Sequence, residues 1–175
     1  MSRRGDDGFT LVELMIVVSI IGVLAALAIY GVARYLKNAK TAEATRSLGA
    51  IENGARQQYQ RETPFVGLEG KFDHRFCPNA PLTPASVPRA AKVLVPPAAW
   101  NDAAWGCLKF AMNDPQFFAY RHVSNDLAGT DAMYTASAFG DLDGNGTTSN
   151  FEIVGRGGPL GDAIRDAFRV INGDE

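Results

Sequence analysis

The hydrophobic and polar positions of the chain fall into three regimes. From Phe9 to Gly31, 23 residues run almost unbroken in apolar character, interrupted by Thr10, Glu13 and Ser19. As a helix this run is about 34 Å long against a hydrocarbon thickness of about 30 Å, so it predicts a membrane-spanning helix. Over residues 32–62 the apolar positions thin to Ala44, Leu48, Ile51, Ala55 and Tyr59, spaced by four, three, four and four. That spacing is one stripe on the same helix, which needs a partner surface to cover it. The residue before Pro64 resists helical backbone, so the helix is expected to stop there.

The third regime is residues 63–175, a globular head. Residues 63–105 hold most of the nine prolines and read as an ordered but irregular connector. Over about 106–156, four strand-like runs follow, "CLKFAMN", "QFFAYRHV", "AMYTASAF" and "FEIVG", separated by turn signals such as Asn113-Asp114-Pro115. They predict an antiparallel sheet with one face for the helical stripe. The tail, with Ala163, Ile164, Ala167, Phe168 and Ile171, fits a closing helix over about 161–172. The fold class expected is α+β: a long N-terminal helix, its first half membrane-spanning, packed on a small antiparallel sheet.

Two other readings of the apolar run were weighed. Ala26-Leu27-Ala28 satisfies the small-x-small pattern of a cleavable secretory signal, which would start the mature chain at Ile29. The run is longer than the usual core of such a signal and holds an acid near its start. A buried helix of a soluble domain would need apolar surroundings that the remaining chain does not supply. Glu13 is the anomaly, because a carboxylate near the centre of such a helix costs roughly 2.5–3.5 kcal/mol on insertion, and less toward its ends.

Composition narrows the function. A formal net charge of -2 and the absence of a basic cluster interleaved with aromatics give no nucleic-acid surface. Cys77 and Cys107 follow a membrane-directed N-terminus, so their domain is expected to mature where a disulfide can form; the other reading is two buried free thiols. Closing a loop of about 30 residues would stabilise the fold by roughly 3–4 kcal/mol in the chain-entropy model. Such a disulfide would tie the connector to the first strand.

The stretch Gly8-Phe9-Thr10-Leu11-Val12-Glu13, after a short hydrophilic leader with Arg3 and Arg4 and before a long apolar helix, resembles the class III signal of type IV pilins and pseudopilins. The resemblance covers roughly residues 1–60. It implies a leader of residues 1–8, cut by a prepilin peptidase between Gly8 and Phe9 on the cytoplasmic side, with methylation of the new amino terminus. It implies an assembly helix over 9–31, in which Glu13 meets the freed amine of Phe9 of a neighbouring subunit; the plainer alternative sets Glu13 at the headgroup edge. A charge costly alone in lipid becomes tolerable beside an opposite one, so the pair would favour docked register.

As partners the resemblance implies other copies of the chain in a helical filament, the inner-membrane assembly machinery and the membrane. The locations it implies are the bacterial inner membrane, then a surface pilus or a periplasmic pseudopilus. The readings kept open are a pilus subunit for adhesion, motility or uptake, a pseudopilin of a type II secretion system, and a monomeric membrane-anchored binding domain. Two departures stand out. Tyr30-Gly31 lies where many pilins carry a proline. The basic groups near the run, Arg3, Arg4 and the amino terminus before it against Arg34, Lys37, Lys40 and Arg46 after it, do not orient the helix.

One motif lies outside that resemblance. "DLDGNGTTSNFE" matches the twelve-residue EF-hand pattern through Asp141, Asp143, Asn145, the Thr147 carbonyl, Ser149 and Glu152, with Gly146 at the turn, and so proposes Ca2+. Its flanks read as strands, so the competing reading is a polar turn that uses these residues for backbone conformation. Catalysis is not expected: His74 and His122 lie in different segments with no nucleophile pattern beside them.

Overall fold

The computed structural model describes residues 8–61, 63–64 and 72–173. Most of the leader, the helix boundary at residue 62 and connector residues 65–71 lie outside the described residues. Two compact units divide the chain, residues 1–39 and 40–175. Helix α1, Leu11–Tyr59, begins in the first and ends in the second.

In the first unit the most hydrophobic 18-residue window of α1 has a mean hydropathy of 2.7, and none of it is buried. In the second unit the helical stripe is fully covered, with Ala44, Leu48, Ile51, Ala55 and Tyr59 all at 0 % exposure. They join one hydrophobic cluster with Tyr120, Tyr134, Ala136, Ala138, Phe151 and Ile153. Tyr59 stacks on Phe76 at 4.6 Å, Phe76 packs at 4.6 Å against Tyr134, and the Tyr59 hydroxyl donates to the Gly129 carbonyl at 2.8 Å. The α+β expectation is met.

The covering sheet has five antiparallel strands in chain order: β3 (Ala80–Thr83), β4 (Ala119–Ser124), β5 (Met133–Gly140), β6 (Ser149–Gly157) and β7 (Ala163–Ile171). A two-residue pair, β1 (Thr63–Pro64) with β2 (Phe72–Asp73), stands apart from it. Three expectations are corrected. The connector supplies a sheet edge, β3, whose Pro81 suits a strand hydrogen-bonded on one side.

The run beginning at Cys107 is not a strand. Residues Ala103–Leu108 form helix α2, started by the Asp102 side chain accepting from the Ala104 N–H at 2.8 Å and ended by Lys109 in left-handed conformation. The disulfide between Cys77 and Cys107 therefore ties the connector to α2. Around it Trp100, Trp105, Phe110 and Tyr120 pack with centroids 5.2–5.6 Å apart, and Trp105 Nε1 donates to Thr83 Oγ1 at 3.0 Å.

The tail is the third correction. Gly158 to Asp162 make a turn, with Gly161 at φ +74° and the Gly158 N–H donating to the Asp162 carbonyl at 2.7 Å, which delivers the chain onto the open edge of β6. Backbone pairing with that edge outweighs the helix-like spacing, and a bulge at Val154/Gly155 breaks strict alternation in β6–β7. Arg165 of β7 reaches α1, where its Nε donates to Glu52 Oε1 at 2.8 Å and a second guanidinium N–H donates to Oε2. The Glu52 side chain is almost fully enclosed, so this paired charge holds the edge strand against the helix.

Two glycines of α1 give opposite expectations. A Cβ at Gly54 would lie 2.0 Å from the Leu108 carbonyl oxygen, backbone that cannot swing aside, whereas one at Gly49 meets nothing within 4 Å. Gly49→Ala should raise stability by roughly 0.5–1 kcal/mol through helix propensity. Gly54→Ala, equally favourable by propensity, should lower it by about 1–3 kcal/mol through overpacking. Denaturant melts of the two variants would check the reversal of sign.

His122 is enclosed on β4, stacked 5.6 Å from Tyr134, with Nδ1 3.3 Å from the Pro78 carbonyl and no hydrogen-bond partner for Nε2 among the described residues. Burial depresses its pKa from 6.5 to about 4, partly offset by the Pro78 carbonyl. The unfolded chain therefore binds a proton more readily than the folded one between those values. Stability from the neutral imidazole is complete above pH 6.5 and falls by up to about 3 kcal/mol as the pH drops toward 4. Melting curves from pH 7 to 4 should show that loss, and His122→Gln should flatten it.

Candidate functional site

Gly8, Phe9 and Thr10 precede α1 in extended, exposed backbone, which leaves the Gly8–Phe9 peptide bond outside the helix. Thr10 is the N-cap. The Thr10 N–H and hydroxyl both donate to Glu13 Oε2, at 3.1 and 2.9 Å, and the Glu13 N–H donates to Thr10 Oγ1 at 3.3 Å. This is a capping box, in which cap and third helical residue satisfy each other's amides. A carboxylate in the first turn also complements the positive end of the helix dipole.

Within a single chain, then, Glu13 has a local task that reading it only as an assembly residue overlooks. The signal was present as Thr10-x-x-Glu13. No contact in a single chain tests its pairing with the Phe9 amine of a neighbour.

The loop between β5 and β6 is organised by its own hydrogen bonds. Asp141 is buried; its Oδ1 accepts from the Gly144 N–H at 2.7 Å and its Oδ2 from the Gly146 N–H at 3.0 Å, with Arg89 Nε 3.7 Å away. Asp143 accepts from the Asn145 backbone and side-chain N–H groups at 3.0 and 2.9 Å, and Asn145 Oδ1 from the Thr147 N–H at 2.6 Å. Ser149 donates to the Gly140 carbonyl at 2.8 Å.

Glu152, twelfth in the motif, sits inside β6, paired with Ser137 and Arg169 across the sheet and accepting from Asn150 Nδ2 at 2.8 Å. Among the described residues no group of three or more His, Cys, Asp or Glu is arranged to hold a metal. The oxygens that would face an ion accept from the loop's own amides, while Gly144 and Gly146 supply the positive φ the turn requires. The polar-turn reading accounts for the described loop, and the strand flanks carry Glu152 into β6.

The two histidines have structural settings. His74 Nδ1 donates to the Tyr59 carbonyl at 2.8 Å, capping the last turn of α1, and His122 lies in the core.

Comparisons with known proteins agree with the N-terminal geometry. Residues 3–29 match the family model described as the prokaryotic N-terminal methylation motif. Over 178 aligned positions the chain is 29 % identical to the type IV major pilin protein PilA of Myxococcus xanthus (strain DK1622), covering 86 % of this chain and 80 % of that protein. No solved structure matches the chain at a significant level. These findings support the type IV pilin family, a family of structural subunits and not of enzymes. The chain is thus similar to a type IV pilin, and it carries a methylation motif, an apolar N-terminal helix and a Cys77–Cys107 disulfide.

The loop chemistry makes a direct prediction. Calcium up to roughly 10 mM, which covers the affinity range of weak extracellular sites, should leave the melting temperature unchanged. Asp141→Ala should lower stability by about 1–3 kcal/mol with or without calcium, because two loop amides lose their charged acceptor. A calcium-dependent rise in melting temperature that Asp141→Ala abolishes would restore the metal reading.

Proposed function

We propose that this chain is the structural subunit of a type IV pilus, made as a membrane-anchored precursor and polymerised through α1 into a surface filament. The observation that carries the reading is the apolar part of α1, uncovered among the described residues and headed by a methylation motif. Other copies of the same helix would cover it in the assembled filament. In this reading residues 1–8 are the leader, 9–31 the membrane and assembly helix, 32–62 its amphipathic continuation and 63–175 the head.

Prepilin peptidase cuts between Gly8 and Phe9 and the new amine is methylated. The precursor resides in the bacterial inner membrane, where assembly machinery extracts it. Cleavage would leave Thr10 as the second residue of the mature chain, so the capping box survives processing with Glu13 held beside the new terminus. Similarity to a pilus subunit over most of the chain favours a pilus over a secretion pseudopilus.

Mass spectrometry of the protein from its own cells should find a chain starting at methylated Phe9; a start at Ile29 would instead mark a cleavable secretory signal. Glu13→Ala and Glu13→Gln then separate two roles. Glutamine keeps a capping acceptor but removes the charge. If assembly needs the charge, both variants should be processed normally yet yield only a small fraction of the wild-type filament. Full filament yield from Glu13→Gln would assign Glu13 to capping alone.

A further inference from the structure

The basic residues that follow the apolar run, Arg34, Lys37, Lys40 and Arg46, are explained neither by the covered stripe nor by membrane orientation. Within the 40–175 unit, Lys40 has a defined setting. Its Nζ lies 5.1 Å from the ring centroid of Phe117, and Nζ of Lys92, from the connector, lies 4.9 Å from the same ring. Glu43 holds the arrangement in place: its Oε1 accepts from the Phe117 N–H at 2.7 Å, and its Oε2 lies 3.6 Å from Lys92 Nζ. Two ammonium groups thus share one aromatic ring while one carboxylate faces Lys92, which leaves the group with net positive charge.

The Lys92 side chain is 47 % exposed, and the next two residues, Val93 and Leu94, are exposed at 40 % and 62 %. Ammonium groups beside exposed aliphatic side chains match the chemistry of a lipid headgroup layer, with charge at the phosphates and apolar groups at the acyl boundary. Chain connectivity brings the two together. Lys40 follows Gly31 by nine residues, about 14 Å of helical rise, and α1 is helical over that interval.

We propose that Lys40, Lys92 and Phe117, with Val93 and Leu94, form a docking surface for the anionic headgroups of the bilayer that α1 crosses. The surface would seat the subunit before assembly, and it rests on the reading that residues 9–31 span a membrane. Lys92 is the informative residue, because it is brought to the surface by the fold and not by sequence proximity to the apolar run.

The test reconstitutes the full chain into phosphatidylcholine vesicles with and without phosphatidylglycerol, treats them with a membrane-impermeant amine-acylating reagent, and reads each lysine by mass spectrometry. Lys109 is the internal reference. It hydrogen-bonds Gln57, some 25 Å farther along α1 than Lys40. The ratio of Lys92 to Lys109 modification should fall about fivefold in the anionic vesicles and recover at high salt.

Glu43→Gln keeps an acceptor for the Phe117 N–H while removing the negative charge, and should deepen the protection. Equal ratios in both membranes, or no response to Glu43→Gln, would overturn the docking surface while leaving the anchor intact. Protein that fails to float with the vesicles would overturn the anchor and the surface together.

Discussion

One helix has to satisfy two different surroundings. The stripe from Ala44 to Tyr59 is narrow and is covered completely by the chain's own sheet and connector. The stretch before it holds an apolar window with no burial among the described residues, which suits an apolar surrounding such as lipid or another helix.

Acidic side chains do much of the work of holding the head on α1. Glu43 ties the backbone at Phe117 and the Lys92 side chain to α1, and Glu52 ties the edge strand through Arg165. Asp141 gathers the amides of the β5–β6 loop. Each carboxylate is largely withdrawn from water and meets donors that keep its charge tolerable. Glu13, exposed at the other end of α1, is also partnered, accepting two bonds from Thr10. A charge in the apolar run that looks anomalous in isolation is thereby already partnered in the monomer, before any neighbour arrives.

Periodicity made the helix legible, because a stripe repeating every three or four residues has one structural meaning when it is long enough. The five stripe residues read from spacing are the five that the head encloses. The sheet's central strands were legible as well, since alternation and β-branched residues lie between clear turn signals. The tail was misread because Ala163, Ala167 and Ile171 can mark a helical face or, across a β-bulge, successive positions of an edge strand. Local spacing cannot distinguish these without knowing that β6 offers an open edge. The calcium motif is ambiguous in a related way, for it specifies residue types at intervals while the flanking strands decide where Glu152 points.

The sequence by itself determined the long helix, its division into a bare half and a striped half, the processing motif at Gly8-Phe9 and the availability of two cysteines. These follow from short-range order, in which neighbouring residues share one backbone geometry. Only the tertiary structure decided that Cys107 belongs to a helix, that the tail is a strand locked to Glu52, that Asp141 is an organiser of amides, and that Lys92 meets Lys40 over Phe117. Those outcomes depend on contacts between residues far apart in the chain, whose energies exist only once the backbone has closed around them.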